Sequence, residues 1–236
     1  MVYRSNHPTV KAGGRAMMRV MVVDDQKDVR DGLALMLSRD PEIQVVARCA
    51  NGAEALEALH TLDANGSPLP DVTLMDVRMP VMDGIDATRR IHRLWPDVGI
   101  VVLTTYDQDD YAFGALAVGA AGFLLKDASA RSIVDAVHAV CAGDAALSPR
   151  VTREVIARVI PKPADARNAD PFSQLPPREL ELASFVAEGL SNAEIAKRMS
   201  IEPASVKRSV SRIISRLGLA SRVQIAVEWW RAGRHW

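Results

Sequence analysis

The sequence has few cysteines and no long apolar run. Its 236 residues include only Cys49 and Cys141, without a CxxC spacing, which argues against a disulfide framework or a zinc site. No stretch reaches the length of a membrane span, and the N-terminus lacks the apolar core of a signal peptide. Because 48% of the residues are hydrophobic, the chain has ample material for folded cores. We therefore expect a cytoplasmic protein that is not embedded in a membrane.

The formal net charge of zero conceals an uneven distribution of charge. Residues 19–145 contain 20 acidic and 11 basic residues, a balance of −9. Residues 173–236 contain 10 basic and 6 acidic residues, a balance of +4. An acidic front and a basic back indicate two modules with different partners. The opposite charges would also permit an autoinhibitory contact between the modules.

The composition of the remaining segments sets the expected domain boundaries. Residues 1–18 are polar and show no periodicity, so we predict a disordered tail, with Met1, Met17 or Met18 as the start. Prolines and small polar residues in 144–172 predict a linker. The two folded modules are then 19–143 and 173–236.

The front module alternates short apolar runs with helical patterns. The apolar runs are "VMVV", "IQVVA", "DVTLM", "GIVVL" and "AGFLL", and a helical pattern follows each of them. Five strands alternating with five helices predict a parallel sheet that is covered on both faces. In such sheets, binding sites form at the carboxyl ends of the strands.

Polar residues follow four of these strands. They are Asp24 and Asp25 after the first strand, Asp76 after the third, Thr104 and Thr105 after the fourth, and Lys126 after the fifth. If the sheet is doubly wound, the first and third strands are neighbours and their three carboxylates converge. Without a counter-ion at least one carboxylate would be protonated, and Mg²⁺ with its preference for oxygen ligands resolves this conflict. The simpler alternative is a strand end that meets solvent.

A carboxylate beside a magnesium ion, a hydroxyl and a lysine is suited to phosphoryl transfer. Asp76 can act as the nucleophile and form an aspartyl phosphate. Lys126 would offset the charge of the phosphoryl oxygens, and the Thr104 hydroxyl would donate a hydrogen bond. No His, Cys or Ser directly follows any of the five apolar runs as an alternative nucleophile.

The basic module contains four helical patterns separated by short turns. Ser191 and Glu194 fit a capping box, and residues 192–199 and 203–217 fit a helix-turn-helix. The second of these helices has an apolar stripe and an opposite face that carries Arg208, Ser211, Arg212 and Ser215, with Lys207 at its margin. This face suits the major groove of DNA, where Arg or Lys reads guanine; the alternative is a solvated charged face.

The motifs "VVDDQ", "LMDVRMPVMDG", "LTTYD" and "GAAGFLLKD" resemble the receiver domain of two-component response regulators of the NarL/FixJ group. The resemblance covers the front module and implies a flavodoxin-like (βα)5 fold with Asp76 as the phosphoacceptor. It implies Mg²⁺ ligands from Asp24, Asp25, Asp76 and the backbone carbonyl of Arg78. It also implies a switch hydroxyl at Thr104, a switch aromatic at Phe123, and a phosphate-binding lysine at Lys126.

The stretch "EGLSNAEIAKRMSIEPASVKRSVSRIISRLGLASRVQ" resembles the LuxR-type DNA-binding domain, an all-α four-helix helix-turn-helix unit. The resemblance implies base contacts from Lys207, Arg208 and Ser211, and phosphate contacts from Ser205 and Ser209; the outer-face position of Arg212 adds it to the expected DNA contacts. Pro176 and Glu202 stand where the family usually has capping hydroxyl residues. Arg208 and Ser209 replace a usual Thr–His pair, so the operator sequence cannot be inferred from relatives.

Together these features predict a transcriptional response regulator rather than an enzyme. The expected partners are a sensor histidine kinase, promoter DNA, a second copy of the chain and RNA polymerase. One alternative is a phosphorylation-independent DNA-binding regulator whose receiver domain is purely structural. A phosphohydrolase is disfavoured, because the common phosphatase pattern has a second Asp where this chain has Arg78.

Overall fold

A computed structural model describes residues 17–104, 115–116, 118–147 and 170–234. Several predictions fall outside these ranges: most of the disordered tail, the polar residue Thr105, most of the fourth helical pattern of the front module, and most of the linker.

The front module forms an alternating α/β unit. Its strands are β1 (Met18–Val23), β2 (Ile43–Cys49), β3 (Val72–Asp76), β4 (Gly99–Thr104), β5 (Gly122–Leu125) and β6 (Ala146–Leu147). Its helices of at least two turns are α1 (Lys27–Leu37), α2 (Gly52–Ala64), α3 (Gly84–Leu94) and α4 (Ala130–Ala142). Three of these helices begin with a side-chain cap, which Asn51, Asp83 and Ser129 provide.

All neighbouring strands of the sheet run parallel, in the order β2-β1-β3-β4-β5-β6. The predicted flavodoxin-like architecture is therefore confirmed, and β1 and β3 are neighbours as expected. The sequence reading missed β6, because a strand of two residues is too short to produce a hydrophobic period. β6 pairs with the first half of β5, with Leu147 opposite Phe123.

Two apolar clusters cover the two faces of the sheet. One contains Met21, Met75 and Phe123 together with residues of α2 and α3. The other contains Val22 and Leu74 together with residues of α1 and α4. Every residue of β3 is buried, as expected of a central strand with helices on both sides.

The C-terminal module is a small helical unit. A 3₁₀ turn (Pro171–Gln174) precedes α5 (Pro177–Ala187), α6 (Asn192–Met199), α7 (Pro203–Leu217) and α8 (Arg222–Arg231). The predicted capping box of Ser191 and Glu194 is confirmed at the start of α6. The first residues of α5 and α7 follow Pro176 and Glu202, and neither residue provides a side-chain cap.

The apolar core of this module draws on all four helices and the 3₁₀ turn. Phe172 and Trp229 are buried and meet edge to face with ring centroids 5.0 Å apart. Val206, Val210 and Ile213 of α7 are buried, which confirms the apolar stripe predicted for this helix. The opposite face of α7 is thereby left outside the core of the module.

Helix α8 also contacts the front module. Val223 is buried in the apolar cluster that contains Phe123, and Val227 and Trp230 pack against the same cluster. The Gln224 side chain donates a hydrogen bond to the carbonyl of Leu116, with an N–O distance of 3.2 Å. In the part of the chain that the structure describes, no helix is long and apolar enough to cross a membrane.

Candidate functional site

Asp76 is the last residue of β3 and lies in a buried position at the carboxyl edge of the sheet. The residue is only 4% exposed. The backbone N–H of Val77 donates to Asp76 Oδ1 over 2.8 Å. This bond fixes the carboxyl group and leaves Oδ2 directed at its other neighbours.

Lys126 forms ion pairs with the carboxylates at the ends of β1 and β3. Its Nζ lies 2.8 Å from Asp24 Oδ2 and 2.8 Å from Asp76 Oδ2. The position of the lysine is set by the backbone, because the Lys126 N–H donates to the carbonyl of Thr104 over 2.7 Å. The structure thus brings together side chains from the ends of β1, β3 and β5, and the roles of these residues stay predictions.

Burial and ion pairing shift the pKa values of Asp76 and Lys126. Desolvation raises the pKa of the Asp76 carboxyl above its ordinary value, and the ammonium of Lys126 partly opposes that rise. For Lys126, burial lowers the pKa, but hydrogen bonds to Asp24 and Asp76 outweigh burial and the pKa is raised. The lysine is therefore a permanent cation of the site at neutral pH.

Asp24, Asp25 and Asp76 form a cluster of oxygen donors that fits a divalent cation. One carboxylate oxygen from each residue lies within 4.8 Å of the others, and Asp24 and Asp76 are buried whereas Asp25 is exposed. The negative charges of three carboxylates exceed the single positive charge of Lys126, so the cluster has room for a further cation. A donor set made only of oxygen atoms suits Mg²⁺ rather than a softer metal. Arg78 lies two residues beyond β3, and the role of its carbonyl as a further ligand stays a prediction.

Thr104 and Phe123 lie on the strands beside β3. Thr104 ends β4 and is 2% exposed, and Phe123 of β5 is also 2% exposed. Thr104 pairs with Leu125 and Phe123 pairs with Val102 across the same ladder. Phe123, the predicted switch aromatic, belongs to the same apolar cluster as Val223 of α8. It therefore packs in the cluster through which the two modules contact each other.

Two residues that the sequence reading did not single out help to shape this site. Arg30 of α1 donates from its guanidinium to the carbonyl of Asp24. Gly84, the first residue of α3, lies so close to β3 that a Cβ added to it would be 1.9 Å from the Asp76 carbonyl oxygen. Gly84 ends the segment "RMPVMDG", so the glycine was visible as part of the motif, but its close approach requires the fold.

Helix α7 carries the residues that were expected to contact DNA. The most exposed of them are Lys207, Arg208, Ser211 and Arg212, and those of intermediate exposure are Ser205 and Ser209. The predicted face opposite the apolar stripe agrees with this pattern, since all its residues are exposed: Arg208, Ser211, Arg212 and Ser215, with Lys207 at the margin. Their contacts with DNA stay predictions.

The three cationic side chains among the expected DNA contacts have partners within the chain. Arg212 Nε lies 2.8 Å from Oε1 of Glu179 on α5, a residue that is 9% exposed. Arg208 donates to the Ser205 hydroxyl over 2.9 Å. Lys207 Nζ donates to the carbonyl of Cys141, at the end of α4, over 2.9 Å. Arg212 thus also holds α7 against α5, which the helical period did not reveal.

Comparison with known families matches both modules. Residues 20–138 match the response regulator receiver domain, and residues 173–229 match the luxR family of bacterial regulatory proteins. The two matches leave the region between the modules outside either family.

Similar proteins match this chain along almost their whole length. The chain is 37% identical over 211 residues to the transcriptional regulatory protein LiaR of Bacillus subtilis, covering 89% of this chain and 96% of LiaR. It is 35% identical over 211 residues to the DNA-binding transcriptional activator DevR/DosR of Mycobacterium tuberculosis, covering 89% and 93%.

Solved structures give the same fold. A LuxR-family two-component response regulator from Aurantimonas sp. SI85-9A1 is 30% identical, with a TM-score of 0.55, and the match covers 62% of this chain and 100% of that one. RcsB from Salmonella enterica serovar Typhimurium, bound to promoter rprA, is 21% identical with a TM-score of 0.51, covering 91% and 98%. At that identity the RcsB match supports the fold alone.

The close approach of α3 to β3 makes Gly84 sensitive to any side chain. We expect Gly84→Ala to lower the free energy of unfolding by about 1–3 kcal/mol, because the added methyl group forces α3 away from the end of β3. Urea unfolding of the full chain measures this change. Gly32→Ala in α1 is the control, since nothing lies within 4 Å of its Cβ position, and it should stabilise the helix by up to about 1 kcal/mol. Equal midpoints for the two variants would contradict the steric argument.

The oxygen cluster predicts that Mg²⁺ binding depends on Asp24. We expect Asp24→Asn to weaken Mg²⁺ binding at least about tenfold, because the metal loses a charged ligand from the buried pair. Isothermal titration calorimetry with MgCl₂ gives the affinity directly. Asp28→Asn is a matched control, since Asp28 is exposed on the first turn of α1 and outside the cluster. The cluster is not the metal site if both variants bind Mg²⁺ like the original chain.

Proposed function

Because this chain belongs to the NarL/FixJ-type response regulators of two-component systems, with a receiver domain and a LuxR-type DNA-binding domain, we propose that phosphorylation of Asp76 controls its binding to promoter DNA. A sensor histidine kinase is the phosphodonor, and a small phosphodonor can replace it. The chain acts as a transcriptional regulator and not as an enzyme that turns over a substrate.

The observation that supports phosphorylation is the placement of Asp76 beside Lys126 and within the cluster of three carboxylates. A carboxylate oxygen of Asp76 attacks the phosphorus of phosphohistidine. The P–O bond forms as the P–N bond breaks, and the electron pair leaves with the imidazole nitrogen. Lys126 is close enough to Asp76 to neutralise charge on the phosphoryl oxygens. A Mg²⁺ ion held by Asp24, Asp25 and Asp76, with the Arg78 carbonyl as a further ligand, would supply the remaining neutralising charge.

The burial of Thr104 and Phe123 supports a route from the phosphoryl group to the domain contact. The Thr104 hydroxyl would donate to a phosphoryl oxygen, and Phe123 would then reorient. Phe123 lies in the cluster into which Val223 of α8 is buried, so its movement alters the surface on which α8 rests. We infer that the described arrangement is a closed form and that phosphorylation shifts the population toward an open one.

The exposed face of α7 supports DNA binding by the C-terminal domain. Lys207, Arg208 and Ser211 are placed to meet base edges when α7 lies in the major groove, while Ser205 and Ser209 would meet phosphates. Arg212 would add a phosphate contact from its position beside Glu179. The chromosome is the expected DNA partner, which implies a cytoplasmic site of action.

A second copy of the chain and RNA polymerase complete the proposed set of partners. Pairing of two copies through α8 would place two α7 helices on half-sites about one DNA turn apart. The apolar residues of α8 that now contact the receiver, Val223, Val227 and Trp230, would be available for this pairing in the open form. Dimerisation on phosphorylation or on DNA follows from this arrangement.

Phosphorylation is tested by the mass of the intact protein after incubation with acetyl phosphate and Mg²⁺. We expect a gain of one phosphoryl group in the original chain and none in Asp76→Asn, because Asp76 is the proposed phosphoacceptor and has Lys126 and the other two carboxylates beside it. Asp97→Asn, an exposed position beyond α3, is the control and should gain the group normally. If neither acetyl phosphate nor purified histidine kinases label Asp76, the phosphorylation-independent regulator is the better description.

DNA recognition is tested on a duplex that the phosphorylated chain selects from a random pool. We expect Arg208→Ala to weaken binding to the selected duplex by about 1–3 kcal/mol and to relax its sequence preference, because Arg208 reads a base edge. Fluorescence anisotropy at a fixed salt concentration measures the affinity. Arg178→Ala on α5 removes the same charge from another exposed position and serves as the control. An equal loss in the two variants would mean that Arg208 contributes only charge.

A further inference from the structure

The C-terminal end of α4 presents hydrogen-bond acceptors to the DNA-binding domain. We name residues Cys141–Asp144, where α4 ends and the turn to β6 begins, the acceptor turn. The Lys207 Nζ donates to the Cys141 carbonyl over 2.9 Å, and the Asn192 Nδ2 donates to the Ala142 carbonyl over 2.8 Å. The last carbonyls of a helix carry the negative end of its macrodipole, so they attract cations and N–H donors.

The Asp144 carboxylate adds a full negative charge to this surface. Its Oδ1 accepts the backbone N–H of Asn192 over 2.7 Å and lies 2.9 Å from Nη1 of Arg222. Asn192 is the first residue of α6, so the carboxylate occupies the position that an anion takes at a helix N-terminus. Arg222 is held there as well, because its guanidinium also donates to the side-chain oxygen of Asn192 and to the carbonyl of Leu190.

Close contact at this surface depends on Gly143. Its φ of +85° lies in the left-handed region that favours glycine. A Cβ added there would be 3.0 Å from Nδ2 of Asn192 and 3.1 Å from Cγ of Lys207. The acceptor turn is thus shaped to reach the start of α6 and the side chain of Lys207 at the same time.

The donors that the acceptor turn occupies lie on the surface with which a helix-turn-helix meets DNA. The first helix of the motif crosses the backbone, and N–H groups at helix N-termini bind phosphate oxygens. Lys207 is on the face of α7 that is expected to enter the major groove. We propose that the acceptor turn imitates the acceptor groups of DNA, the phosphate oxygens at the start of α6 and the base edges at Lys207, so that the receiver domain and DNA compete for these donors. This inference rests on the proposed DNA-binding function and identifies the surface that opposes it.

Removing the Asp144 carboxylate in the full, unphosphorylated chain tests this competition. The probe is a 30-base-pair duplex of random sequence, because phosphate contacts do not depend on sequence. We expect Asp144→Ala to bind it roughly tenfold more tightly than the original chain in fluorescence anisotropy at low salt. Asp135→Ala is the matched control, since it removes the same charge from an exposed position on α4 outside the contact. A control value close to that of the original chain separates competition from a change in net charge.

Small-angle X-ray scattering without DNA provides a second measurement. The radius of gyration should rise in Asp144→Ala and stay unchanged in Asp135→Ala, since only the former loses bonds between the domains. Equal DNA affinities and equal radii for the two variants would overturn the inference, and phosphorylation-dependent DNA binding by the original chain would show that the proposed function still stands. If every form, including the phosphorylated original chain, leaves the duplex unbound, the DNA-binding function and the inference both fail.

Discussion

The ion pairs of Lys126 with Asp24 and Asp76 are the interaction on which the site depends. Two carboxylates buried side by side repel each other and resist loss of water, and each would favour protonation in isolation. One ammonium placed 2.8 Å from both makes the arrangement tolerable. Because the three residues lie at the ends of three different strands, the pairs also require the order in which β1, β3, β4 and β5 lie side by side. The chemistry of the site and the topology of the sheet are therefore a single constraint.

The same constraint links the phosphoacceptor to the far domain. The backbone N–H of Lys126 donates a hydrogen bond to the Thr104 carbonyl, and Phe123 of β5 lies three residues before Lys126. Phe123 packs in the cluster that buries Val223 of α8. Only a few packed residues of β4 and β5 therefore lie between Asp76 and the contact between the two domains. A change of charge at Asp76 has a short path to that contact. Such a short physical connection suits an equilibrium between two arrangements of the domains better than a gradual deformation.

The strands, the candidate site and the inner face of α7 could be predicted from the sequence, because each depends on a local pattern of residues. Apolar runs that end on Asp24, Asp76 and Lys126 indicated both the strands and the site, and the apolar stripe of α7 indicated its inner face. The contacts that depend on distant residues could not be predicted. Asp144 is an ordinary acidic residue in the sequence, and only the fold brings it to Asn192, 48 positions later. The ion pair of Arg212 with Glu179 has the same origin, since helical periodicity describes one helix at a time.

The small strand β6 has a consequence for where the receiver domain ends. A strand at the edge of a sheet offers unpaired backbone groups to any other chain, and proteins shield such edges to avoid aggregation. β6 covers the first half of β5 and, with two residues, is too short to act as a template itself. A receiver domain cut after Gly143 would lose this cover and present the backbone of Gly122 and Phe123 to its neighbours in solution. Self-association of such a fragment would then reflect the cut edge and not the signalling state of the intact protein.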